Sequence, residues 1–312
     1  MEYRQLGRSG LQVSAVGLGT NNFGTLIDAE QTAKVLHQAL DVGINFIDTA
    51  NVYTGGRSEE FIGKVLKEHR HRVLLATKVG MVTGEGPNQG GASRKNIMEQ
   101  VEVSLRRLQT DYIDLYQIHR SDPNTPIGET LRALDDLVHQ GKVRYIGCSN
   151  FAAWQICEAI WTSRALNLAP FISVQPEYSL VTRDIEQDLV PFCRAYQIGI
   201  IPYAPLAKGI LTGKYRPGEP LPEGTRLARG EARFRSRNVT EANFALVSKL
   251  ERFAAEHGHS MGELAFAWLL ANPLVGSVIA GASKPEQVVA NSKAADWHLT
   301  PQEMTAINGL LA

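Results

Sequence analysis

"NFIDTANVYTGGRSEEFIGKVL", residues 45–66, packs a strand, a loop and a helix into one short unit. Its first six residues read as a buried strand and its last nine as an amphipathic helix. The strand spends Phe46 and Ile47 on a core, then presents Asp48, Asn51 and Tyr53. The same alternation of strand-length apolar runs with segments of helical period continues along the chain, which predicts parallel strands joined by crossover helices. The runs fall at residues 13–20, 45–50, 73–80, 113–119, 145–150, 171–177, 199–205 and 277–282. Between them lie "AEQTAKVLHQALDVG", "SRKNIMEQVEVSLRRLQ" and "PIGETLRALDDLVHQGK", two of which carry a Gly suited to a left-handed helix cap. Eight strand–helix units in a chain of this length predict an α/β fold, a (β/α)8 TIM barrel.

The opening "YRQLGRSGLQVS" reads as an N-terminal β-hairpin turning at "RSG", placed to plug the bottom of the barrel. "SMGELAFAWLLAN" and "TPQEMTAINGLL" read as extra helices near the C-terminus, the first apolar on most faces and so suited to packing. No linker or composition shift divides the chain, so residues 1–312 are expected to form one domain. The connection at 206–239 exceeds what a strand-to-helix loop needs, and in a barrel such an excursion covers the mouth. It contains Arg226, Arg229, Arg233, Arg235 and Arg237, read as a solvated loop or a clasp over phosphates, with recognition of an acidic or phosphorylated substrate as the alternative.

The 312 residues are 44% hydrophobic, enough for a large core, and 32 basic residues balance 32 acidic ones. That balance gives no reason to expect nucleic acid or an anionic membrane as partner; a small substrate is expected. Cys148, Cys157 and Cys193 form no closely spaced pair, which fits a reducing, cytoplasmic setting. No signal core opens the sequence, and no run reaches the roughly 18 apolar residues of a membrane span.

In a barrel, chemistry gathers where strands end at their C-terminal side, because side chains fill the interior and the loops make the concave face. Asp48, Lys78 and His119 end the second, third and fourth runs, and Tyr53 follows the second. An Asp after a strand commonly caps the next helix, but Ser58 is available for that, with Glu60 in the first turn, so Asp48 is spare. Lys78 between "VLLAT" and Val79 lies against the core and needs an anion, for which Asp48 on the adjacent strand is the candidate. One mechanism employs all four. A phenol with pKa about 10 is a weak acid, and a neighbouring ammonium stabilises its phenolate. Asp48 would keep Lys78 charged, and His119 would donate a hydrogen bond that orients a carbonyl oxygen beside the Tyr53 hydroxyl. The sequence has no GxSxG elbow, no HExxH and no cluster at metal-ligand spacing. Carbonyl reduction also needs a hydride donor, which no side chain supplies. A barrel isomerase or aldolase using Lys78 as nucleophile is the competing reading, and it leaves Tyr53 without a role.

"GLGTNNFG", "FIDTANVYTGGRSEEFIGKVL", "LLATKVG", "DYIDLYQIH", "VRYIGCSNF", "IPYAPLAKGILTGKY" and "GASKPEQVVAN" appear in that order and together resemble the successive signatures of the aldo-keto reductase superfamily. The resemblance implies a (β/α)8 barrel that reduces small carbonyl substrates with NADPH, returning NADP+. It implies that Asp48, Tyr53, Lys78 and His119 form a catalytic tetrad, with Tyr53 as general acid. It further implies that Ser149, Asn150 and Gln175 hold the nicotinamide amide and that Tyr203 stacks on its ring. Gly19, Thr20, Asp48, Leu206, Gly209 and Lys214 would lie along the cofactor. Gly281, Ser283, Lys284, Gln287 and Asn291 would take the adenosine end, where Pro285 opens a helix whose N-terminus suits a phosphate. The chain departs from many members in carrying Ala290 where an acidic residue is common. The β subunits of voltage-gated potassium channels share the resemblance, and a cofactor-holding regulatory subunit is the alternative it implies.

Overall fold

A computed structural model of the chain describes residues 1–215, 219–220, 228 and 239–311. Eight parallel strands form one sheet: β3 (Val16–Gly19), β4 (Phe46–Asp48), β5 (Leu74–Val79), β6 (Ile113–Ile118), β7 (Val143–Ser149), β8 (Phe171–Gln175), β9 (Gly199–Ile200) and β10 (Val278–Gly281). They lie in the order β10-β3-β4-β5-β6-β7-β8-β9. The Ile279 amide donates to Pro202 O at 2.9 Å and the Gly276 amide to Ile200 O at 3.0 Å, bringing the last strand against β9 and curling the sheet into a (β/α)8 barrel. Such strands are buried on both faces, which is why they read as continuous apolar runs.

Helices α1 (Ala29–Asp41), α2 (Arg57–Leu66), α3 (Arg94–Leu108), α4 (Ile127–His139), α5 (Ala153–Leu166) and α6 (Leu189–Tyr196) follow successive strands. Then come α7 (Glu241–Glu256), α8 (Met261–Leu270), α9 (Pro285–Lys293) and α10 (Pro301–Leu311). Leu264 to Leu270 of α8 are all buried, as an all-round apolar helix requires. None of the described helices is long and apolar enough to cross a membrane.

The N-terminal hairpin pairs β1 (Tyr3–Gln5) with β2 (Gln12–Ser14), antiparallel. Leu6 and Val13 are fully buried in a cluster with Phe46, Ala76, Leu115, Ile201 and Ile279, which closes the lower barrel. Each large apolar side chain so buried stabilises by about 1.5–3 kcal/mol. The turn lies so close to the barrel floor that a Cβ on Gly7 (φ +55°) would stand 2.3 Å from Ile172 O.

Two strand expectations need correction. Residues 13–20 are not one strand: the apolar run is shared between β2 of the hairpin and β3 of the barrel. Residues 199–205 keep ladder pairing only at Gly199–Ile200. Pro202 has no amide hydrogen to donate, and beyond it single bridges at Tyr203 continue the strand direction.

Candidate functional site

Asp48 is the last residue of β4, Lys78 lies one residue from the end of β5, and His119 follows β6 with its amide bonded to Val79 O at 2.8 Å. Register fixes their proximity: Lys78 pairs with Gln117 across β5 and β6, and Ser149 with Gln175 across β7 and β8. Lys78 is fully buried, and its Nζ donates to Asp48 Oδ2 at 2.7 Å and to Thr49 O at 2.7 Å. The other Asp48 oxygen, Oδ1, accepts from Gln175 Nε2 at 2.9 Å and from Gln117 Nε2 at 3.3 Å. Burial pulls the Lys78 pKa down, but Asp48 and the Tyr53 hydroxyl push it up further, and the net direction is above the ordinary lysine value. The side chain is therefore an ammonium tied to a carboxylate. A Schiff-base nucleophile must be a free amine, so this environment disfavours the aldolase reading.

Tyr53 opens a short 3-10 turn, Tyr53–Gly56, in which Thr54 and Gly55 both have left-handed backbone. Its hydroxyl is a hydrogen-bond partner of Lys78, whose Nζ lies 5.2 Å from the ring centroid. The His119 ring meets the Tyr53 ring edge-on, with centroids 5.8 Å apart and planes at 78°. Burial, followed by the charges of Lys78 and Arg120, lowers the His119 pKa to about 3. His119 is thus a neutral imidazole at neutral pH, able to donate a hydrogen bond but not to serve as a strong acid. Its Nδ1 is buried without a hydrogen-bond partner.

This burial has a measurable sign. With the folded value near 3 and the unfolded value near 6.5, the unfolded chain takes up the proton first as pH falls. Stability from this group is complete above pH 6.5 and is lost between 6.5 and about 3, at up to about 1.4 kcal/mol per pH unit. Denaturant midpoints from pH 7 to 4 should therefore fall more steeply for the parent than for His119→Gln. Parallel curves would refute the assignment.

The Ser58 expectation is corrected by the structure: the residue before α2 is Gly56, and Ser58 lies inside the helix, fully buried. Its hydroxyl meets Thr20 Oγ1 at 2.9 Å and Thr49 Oγ1 at 2.9 Å, stitching the ends of β3 and β4 to α2. The Thr20 hydroxyl also bonds to Asp48 O at 2.9 Å.

Gly19, Thr20, Asp48, Tyr53, His119, Ser149, Asn150, Gln175, Tyr203, Leu206, Gly209, Lys214, Gly281, Ser283, Gln287 and Asn291 all line one cavity of about 770 Å³. Lys78 lies beneath it, and Lys284, exposed at the N-terminal cap of α9, stands outside its lining. The five loop arginines, Arg226, Arg229, Arg233, Arg235 and Arg237, lie outside the described residues. Asn150 adopts φ +57°, a left-handed conformation that Asn tolerates better than most side chains. From there its amide donates to His119 O at 3.1 Å and to Ser149 Oγ at 2.9 Å, while Tyr203 OH donates to its Oδ1 at 3.0 Å. Gln287 turns back to accept from the Ser283 amide at 2.7 Å.

Sequence reasoning missed Gln117, hidden within an apolar run, and Arg120, Met81 and Lys208, which line the cavity. No spacing pattern marks them. The residues present fit an extended dinucleotide: amides and a tyrosine at the end near Tyr53, Lys208 and Lys214 along the wall, and the start of α9 at the far end.

The model of the Aldo/keto reductase family matches residues 15–312. A rice protein (Oryza sativa subsp. japonica) named "Probable voltage-gated potassium channel subunit beta" is 39% identical, covering 100% of this chain and 97% of its own. "Aldo-keto reductase YhdN" of Bacillus subtilis (strain 168) is 37% identical over 100% of this chain and 94% of that protein. "Uncharacterized oxidoreductase YrpG" of the same organism is 36% identical over 99% and 96% respectively.

Proposed function

The chain belongs to the aldo/keto reductase family, and we propose from that premise that it reduces aldehydes and ketones reversibly to alcohols, with NADPH as cofactor and Tyr53 as general acid. The observation that carries the proposal is the buried Lys78–Asp48 pair directly beside the Tyr53 hydroxyl, with a neutral His119 facing the same cavity. NADPH, when bound, supplies the hydride for the carbonyl carbon. Ser149, Asn150 and Gln175 would hold the nicotinamide amide, and Tyr203 its ring. Gly19, Thr20, Leu206, Gly209 and Lys214 would line the middle, with Gly281, Ser283, Lys284, Gln287 and Asn291 toward the adenosine end. His119 orients the carbonyl oxygen by hydrogen bonding, and Tyr53 delivers a proton to that oxygen as negative charge develops on it. The three free cysteines, two of them buried, support a cytoplasmic setting.

The test is loss of NADPH absorbance with aromatic, aliphatic and phosphorylated aldehydes, beside equilibrium titrations of NADPH and NADH. Turnover with tighter binding of NADPH is the expected result. Tighter binding of NADH would overturn the cofactor choice and the role of Lys284. A regulatory subunit is the second reading, favoured by full-length similarity to the rice protein; tight NADPH retention without turnover would move it to first place.

A further inference from the structure

Tyr53 is presented by an unusual piece of backbone. Thr54, Gly55 and Gly56 take φ values of +53°, +64° and +98° in succession, and Thr54 does so with a side chain that disfavours it. Such a run persists only where its surroundings hold it. On one side the Thr54 hydroxyl bonds to Phe23 O at 2.8 Å. On the other stands Arg107, the penultimate residue of α3. Its NH1 donates to Asn51 O at 3.1 Å, and its NH2 lies 3.5 Å from Gly55 O, a weaker contact. The two carbonyls flank Tyr53 in the chain. The guanidinium is so close to the loop that a Cβ on Gly56 would fall 2.2 Å from Arg107 Cζ, so a side chain there would push the guanidinium aside, and the left-handed φ of +98° itself favours glycine.

The guanidinium is itself anchored. Arg107 NH1 lies 3.3 Å from Oε2 of Glu59, whose side chain is completely buried in α2. Glu59 Oε1 accepts from Thr77 Oγ1 at 2.7 Å, and Thr77 precedes Lys78 on β5. The Asn51 side chain extends the contact, donating to Gln100 Oε1 on α3 at 2.8 Å. One cluster of polar contacts thus ties α3, α2 and the strand bearing Lys78 to the backbone on either side of Tyr53.

We propose that Arg107, anchored by Glu59, is a positioning residue for the reaction: it clamps the Tyr53 loop and sets the approach of the Tyr53 hydroxyl to Lys78 and to the carbonyl oxygen. This rests on the reductase reading above. A proton donor is effective only within hydrogen-bond reach of the oxygen it serves, and displacement by about 1 Å can cost on the order of 10²-fold in rate. The clamp makes no contact with the cofactor cavity, so its loss should act on turnover rather than on binding.

Removing Arg107 alone leaves the buried Glu59 without its partner, so Arg107→Ala by itself mixes loss of the clamp with a loss of stability. Arg107→Ala/Glu59→Gln removes the stranded charge and keeps an oxygen for the Thr77 hydroxyl. The expected result is a melting temperature close to the parent's, NADPH affinity and aldehyde KM within about threefold, and kcat reduced about tenfold to a hundredfold. Arg107→Lys, which can hold one carbonyl at a time, should recover part of kcat. A folded double variant with parental kcat, an equal loss spread over KM and NADPH affinity, or a lysine variant no faster than Arg107→Ala overturns the clamp. Tyr53→Phe, measured in parallel, separates the two levels. If it keeps parental turnover, Tyr53 is not the proton donor and the reading on which the clamp rests fails; if it loses turnover while the double variant does not, only the clamp fails.

Discussion

Tyr53→Phe should lose about 10²–10⁴-fold in aldehyde reduction while retaining its affinity for NADPH. The substitution removes one oxygen and keeps the ring, so the edge-on contact with His119 and the packing over Lys78 persist. What disappears is the acid. No neighbour can replace it: the His119 pKa of about 3 means that almost no imidazolium exists at neutral pH. Lys78 is held in its charged form by Asp48 beneath the cavity. A residual rate would reflect orientation and hydrogen bonding by His119 alone. The measurement is single-turnover oxidation of NADPH with a reactive aldehyde, beside a binding titration of both proteins. A variant within about threefold of the parent would show that the proton comes from elsewhere, and lost NADPH affinity would show that the phenol serves binding instead.

The parts of this site that the sequence displayed are those where a polar residue interrupts or ends an apolar run. Asp48 and His119 stand where strands stop, and a lysine against Val79 is conspicuous because a buried ammonium needs an anion. Parallel strands, buried on both faces, were legible for the same reason. Less visible were features set by backbone geometry. Ser58 offers the right hydroxyl for a helix cap, but left-handed Gly56 begins α2, and the hydroxyl is used to join β3 and β4. Gln117 sits inside a run that periodicity counts as core, yet register places it opposite Lys78 and in contact with Asp48. Arg107 is one of two adjacent arginines on an amphipathic helix. Only the fold shows that it turns toward the Tyr53 loop.

Lys78→Met is expected to cost about 3–5 kcal/mol of stability, the range for removing one member of a buried ion pair. Methionine fills the volume, but Asp48, only 2% exposed, loses its counter-ion, and Thr49 O loses a donor. The two glutamine amides on Oδ1 solvate the carboxylate and do not neutralise it. The sign of the pH dependence follows from the raised Lys78 pKa. Its contribution is complete below the ordinary value of 10.5 and is lost only as pH rises through the higher folded value. Parent and variant should therefore differ by a constant amount through neutral pH and converge only in strong alkali. A second substitution separates structure from chemistry. Lys78→Met/Asp48→Asn removes the stranded charge and keeps an oxygen for Gln175, so much of the lost stability should return. Turnover should not return, because the ammonium beside Tyr53 is still missing and the phenol is a poorer acid without it. A single variant destabilised by less than about 1 kcal/mol would mean that the pair contributes little to the fold. A double variant that recovered turnover along with stability would remove Lys78 from the proton-transfer mechanism, leaving Tyr53 to act without it.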